Sequence, residues 1–158
     1  MVKTRIDSDP DLRKFSKQLH RLDDAELISL VVQLCRRAGE LLQVEEQLAT
    51  EALDVLDRGS LVPLSLQEML HAAAETADDL YLDVLDVEGA DSERCLNLFG
   101  KARFFTAVDL ACTGDRMSYL EAIYEVILGT QRNTHLLAIV EGSCPSQKTN
   151  PRDTRNPK

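Results

Sequence analysis

The chain has no tryptophan and few aromatic residues of any kind, four phenylalanines and three tyrosines in 158 residues. Stacked sheets draw heavily on aromatic and β-branched side chains. Here Leu, Ala and Val must fill the interior, which points to packed helices. Glycine and proline are also scarce, seven and five, and most lie between periodic segments rather than within them. The four cysteines, Cys35, Cys95, Cys112 and Cys144, form no C-x-x-C pair, so the usual spacing of a zinc knuckle is missing. Cys35, Cys95 and Cys112 fall in apolar stripes and read as small core residues. Cys144 falls in a polar stretch and reads as a free thiol. No apolar run approaches the roughly 18 residues that cross a bilayer, and the opening "MVKTRIDSDPD" has no apolar signal core. The expectation is a cytoplasmic protein that does not enter membranes. Positive charge is in deficit as well, with a net charge of −9, which argues against a broad nucleic-acid-binding face.

What is present is helical periodicity. Asp9-Pro10 is a helix-start signal, and Leu12, Phe15, Leu19 and Leu22 follow on one face. Next, Leu27, Leu34, Leu41, Leu48 and Val55 recur every seven residues. This coiled-coil-like seam predicts one helix from about residue 24 to about residue 57, ~50 Å long. Gly59 and Pro63 interrupt it. A third helix is expected from Ser65, with Leu66, Leu70, Ala73, Ala77, Leu80, Val84 and Val87 as its seam. A short link between two seamed helices predicts a long antiparallel hairpin. A fourth helix follows a cap at Asp91 or Ser92 and ends at Gly114. A fifth follows "SYLE", a capping-box spacing from Ser118 to Glu121, and "LLAIV" (136–140) extends it or forms a sixth. The predicted chain is all-α: a five- or six-helix bundle built on a long antiparallel helical hairpin. Residues 1–9 read as a flexible N-terminus, 10–141 as a single helical domain and 142–158 as a disordered polar, basic tail. A strict heptad also suits pairing between two chains, so a homodimer stays open.

The stretch "SLQEMLH" (65–71) has two readings. Ser65 and Glu68 have capping-box spacing; Glu68 and His71 have the spacing of half a carboxylate-bridged metal site. At about 100° per residue, Glu68 and His71 both point off the seam, and the chain has no second Glu-x-x-His. The capping box is the expected role, with His71 a solvated surface residue.

Between Gly59 and Glu93 there are nine acidic residues and no Lys or Arg. Such a run reads either as a solvated helix face or as a site whose self-repulsion is relieved by a basic partner, a divalent cation or the protein's own basic ends. The expected partner-binding surface is Glu75, Asp78, Asp79, Asp83 and Asp86. The function this favours is non-enzymatic: a helical protein that binds a basic protein partner as an adaptor or inhibitor. An immunity-type inhibitor of a basic nuclease toxin is one instance. On this reading there is no catalytic residue and no cofactor.

The alternative is enzymatic. Glu51-Ala-Leu-Asp54 and Glu75-Thr-Ala-Asp78 resemble the paired acidic motifs of the all-α nucleotide pyrophosphohydrolases of the MazG-like type. The likeness covers residues 45–85, with Asp54 standing where that family has Glu. It implies Mg²⁺ held by helix carboxylates and release of diphosphate from a nucleoside triphosphate. In the expected hairpin Glu75 and Asp78 lie level with Glu45 and Glu46, so Glu45, Glu46, Glu75 and Asp78 are the metal ligands under this alternative. Separately, the spacing of Arg13 and His20 resembles that of some all-helical ribonucleases of the HEPN type.

Overall fold

The computed structural model describes residues 3–144. Among them it contains eight α-helices, one 3₁₀ turn and no strand. The helices are α1 (Arg5–Ser8), α2 (Ser16–Arg21), α3 (Asp24–Leu42), α4 (Gln47–Asp57), α5 (Leu64–Glu88), α6 (Glu93–Ala111), α7 (Arg116–Gly129) and α8 (Thr134–Ser143). The all-helical class follows from the apolar periodicity, and no helix is long and apolar enough to cross a membrane among the described residues.

The expected single helix over 24–57 is instead two helices that fold back on each other. Gln43 adopts the left-handed conformation, with φ 55° and ψ 42°. Its N–H donates to the Glu40 carbonyl, and the Val44 N–H donates to the Gly39 carbonyl at 2.9 Å. These bonds satisfy carbonyls that a helix end leaves open, as glycine-type C-caps do. Past the reversal, α4 returns along α3, and Arg36 of α3 binds both Asp54 (2.8 Å) and Asp57 (3.0 Å) of α4. The physical reason lies in burial. A straight ~50 Å rod would carry much of its stripe past the rest of the domain, whereas folding back puts Ala49, Ala52, Leu53 and Leu56 into the same core as Leu27 and Leu34. Leu41, in the middle of the supposed seam, is 41% exposed.

The long antiparallel pairing therefore belongs to α5 and α6. His71 meets Asp109, Asp78 meets Arg103 and Tyr81 meets Phe99, so residue numbers fall along one helix as they rise along the other. α7 runs back along α6, with Arg103 on Glu125. Near its end the two helices approach at glycines. A Cβ on Gly100 would lie 2.8 Å from the Gly129 carbonyl oxygen and 2.7 Å from Leu42 of α3, and a Cβ on Gly129 would lie 2.6 Å from the Arg103 Cβ. Three helices thus meet where a methyl group does not fit.

The N-terminal segment departs from expectation. Ile6 is fully buried and the Arg5 side chain reaches Glu121 of α7 at 2.9 Å, so residues 3–9 pack on the domain rather than trailing from it. Asp9 accepts from the Asp11 and Leu12 N–H groups and pairs with Arg132 at 2.8 Å. The expected first helix is split into a 3₁₀ turn (Arg13–Phe15) and α2. Caps form at Asp23, Ser92, Asp115 and Asn133. Two expected capping boxes do not form. α5 starts at Leu64, directly after Pro63, which places Ser65 inside the first turn with no capping bond. The N-cap of α7 is Asp115 rather than Ser118, and Glu121 binds Arg5 instead. At the other end Gly142 and Ser143 complete α8, and Cys144 is a free thiol as expected but buried rather than part of a polar tail. The rest of the expected disordered tail lies outside the described residues.

Because Gln43 has positive φ, Gln43→Gly is expected to stabilise the fold by about 0.5–1 kcal/mol. In an unbroken helix the same change would destabilise by about 1 kcal/mol. The shift in urea midpoint has opposite signs in the two cases, and a loss of stability would show that the reversal is absent.

Candidate functional site

α5 has two chemically distinct sides. Leu66, Leu70, Ala74 and Val84 are buried. At about 100° per residue, Glu68, Glu75, Asp79, Asp83 and Asp86 fall on the opposite side, and all five are exposed. The absence of both Gly and Pro within "LSLQEMLHAAAETADDLYLDVLDVE" lets the helix run unbroken for 25 residues, so the acids lie along one continuous helix. Gly89, at φ 83°, ends it.

The five expected partner-binding acids separate into two groups. Glu75 pairs with His71 Nε2 at 3.0 Å, and Asp78 pairs with Arg103. Asp79, Asp83 and Asp86 have no Lys, Arg or His partner within 4.0 Å among the described residues. The open carboxylate row is thus narrower than the expected surface. Glu88, further along α5 and outside the expected surface, is likewise bound, to Arg94 at 3.1 Å.

Asp78 belongs to a second, internal system. Arg103 of α6 lies between Asp78 and Glu125, with 3.0 Å to a Glu125 carboxylate oxygen. Glu125 is only 2% exposed, and its other oxygen lies 3.2 Å from Arg5. Burial tends to lower the Arg103 pKa, but Glu125 and Asp78 outweigh it and the pKa is raised. The sequence reading did not single out Glu125. A signal existed: Ala122, Ile123, Val126 and Ile127 surround it, so α7 is apolar on nearly every side. Such a helix is buried, and a carboxylate inside it requires a cation.

The four carboxylates of the metal alternative do not converge. Glu45 and Glu46 sit exposed in the turn between α3 and α4, because the reversal at Gln43 removes them from any helix face. Glu75 and Asp78 are directed at His71 and Arg103. Asp54, in the other resembling motif, is held by Arg36. Among the described residues no group of three or more His, Cys, Asp and Glu side chains has the geometry to hold a metal ion. Nor does His71 merely solvate the surface. It bridges helices, with Nδ1 2.9 Å from Asp109 and Nε2 3.0 Å from Glu75. His20 is engaged by Asp7 at 3.2 Å, and Arg13 stands exposed in the 3₁₀ turn.

Two outcomes follow from these ion pairs. Arg103→Met leaves a buried carboxylate short of a partner and is expected to cost about 3 kcal/mol. Arg5→Met, which removes an exposed cation, is expected to cost no more than about 1 kcal/mol. Urea unfolding of both variants checks the ranking, and equal costs would show that Glu125 does not depend on Arg103. His71 has its pKa raised above 6.5, first by the hydrogen bond to Asp109 and then by the charges of Asp109 and Glu75. Its contribution is fully present below the unfolded pKa and fades as pH rises through the folded one. The stability gap between the native chain and His71→Gln should therefore be wider at about pH 5.5 than at about pH 8.5. Equal gaps would argue against the bridge.

No family model matches this chain, and no curated protein and no solved structure is significantly similar to it.

Proposed function

We propose that the chain is a non-enzymatic helical protein that binds a basic protein partner through the outer face of α5, acting as an adaptor or inhibitor of the immunity type. The observation that carries this reading is the row Asp79, Asp83 and Asp86: three exposed carboxylates on one continuous helix, without a cation of their own among the described residues. Asp54, Asp78 and Glu125, by contrast, are held by arginines within the fold. The row has no such partner among the described residues, and the repulsion along it falls when cationic side chains approach. Acidic patches of this kind also speed encounter with oppositely charged proteins. Glu75 and Asp78, the other two acids of the expected surface, are already bound to His71 and Arg103 and contribute less open charge.

The test is capture of partners at low salt, followed by binding measurements on the captured protein. The partner should be basic, and affinity should fall by at least about tenfold between roughly 50 and 300 mM salt. Joint replacement of Asp79, Asp83 and Asp86 by Asn should weaken binding by about tenfold or more. Binding indifferent to both changes would remove the acidic face from the function.

A further inference from the structure

The reversal at Gln43 has a consequence for α5. α4 has 11 residues and α5 has 25, about 16 Å against about 37 Å. α4 runs back only as far as Leu48, which faces Ala73 and Ala77 across a groove of about 530 Å³ bounded on its other side by Phe105 and Leu98 of α6. Met69 and Leu80 line this groove and are 52% and 48% exposed. Further along, Val87 is 85% exposed. The apolar seam of α5 thus outruns the helix that covers its beginning.

Resting on the function proposed above, we infer that this groove is the seat of an amphipathic partner helix with an apolar stripe and a basic flank. Charge decides the occupant. On the helical wheel Asp83 and Asp79 stand beside Leu80 and Thr76, along the solvent bank of the groove. A helix lying in the groove would put its apolar residues on Met69, Ala73, Ala77 and Leu80 and its flanking Lys or Arg side chains over Asp79 and Asp83. This is the helix-in-groove mode, in which apolar anchors supply affinity and flanking charge sets orientation. Lys101, on the α6 bank, and Glu46, at the groove's end, would fix the direction of the incoming helix. A second copy of this chain is a poor occupant through the same face, because Asp79 and Asp83 would meet their own equivalents. The chain's residues 145–158 offer Lys148, Arg152, Arg155 and Lys158 but no Leu, Ile, Val, Met or aromatic residue, and so have nothing to fill the groove.

The experiment uses the full chain and two fluorescent peptides of about 18 residues, both made of Leu and Lys in the same numbers. One has its Leu residues at i, i+3, i+4 and i+7; the other has them scattered round the helix. Fluorescence anisotropy should show the striped peptide binding at least about tenfold more tightly. Met69→Gln combined with Leu80→Gln should erase that margin while leaving weak, salt-sensitive binding of both peptides. Because both side chains are half exposed, the double variant should retain its helical circular dichroism. Equal binding of the two peptides to the native chain would overturn the groove and leave the acidic-face reading standing. Binding of neither would overturn both. A striped-peptide preference that survives the double variant would place the site elsewhere. Concentration-dependent dimerisation lost in the double variant would assign the groove to a second copy and overturn the partner-helix inference.

Discussion

The buried carboxylate of Glu125 constrains the arrangement of the elements around it. An ionised group this deep is tolerated only when paired and hydrogen-bonded, and its cations come from two distant parts of the chain, Arg103 of α6 and Arg5 of α1. Arg103 can reach it because α6 and α7 approach closely at Gly100 and Gly129. The same guanidinium extends outward to Asp78 and so fixes the register of α5 on α6. Arg5 draws the N-terminal segment across α7, where Ile6 enters the core. One desolvated charge thus ties together four helices, and substituting either glycine would push apart the helices that bring its partners to it.

The reversal at Gln43 begins one residue past Leu42, which itself packs against Gly100. It shortens what would be a rod into a compact pair and lets α3 pack against α6 and α7 while α4 covers only the start of α5. The acidic row and the apolar groove are adjacent for this reason. The outer side of α5 is polar by sequence, and its flank is uncovered because its neighbour is short.

Much of the fold was legible in the chain. Helix identity followed from apolar spacing, and Ser92, one of the two caps expected for the fourth helix, does cap α6, which ends at Ala111 three residues before the expected stop at Gly114. The position of the break did not. "LLQVEEQL" contains neither Gly nor Pro, and Gln43 takes a left-handed conformation for which its residue type gives no warning; heptad spacing alone does not say whether a helix continues. Ser65–Glu68 and Ser118–Glu121 had the spacing of capping boxes, but Pro63 and Asp115 stood just upstream and set the starts. The acidic row was visible as composition. Which acids stay open was not, because the cations that bind Asp78 and Glu75 come from residues far along the chain or on a neighbouring turn.

Four thiols lie buried in α3, in α6 and at the end of α8, and burial pushes those of Cys35 and Cys112 up to about 12. At neutral pH both therefore stay in the unreactive thiol form. All four are also shut away from an alkylating reagent by burial, so modification requires the surrounding segment to open. Cys144 reports the departure of α8, Cys95 the fraying of α6 at its start, and Cys35 with Cys112 the parting of the central helices. The four thiols thus stand as probes placed in different parts of the bundle, each exposed only when the helices around it part.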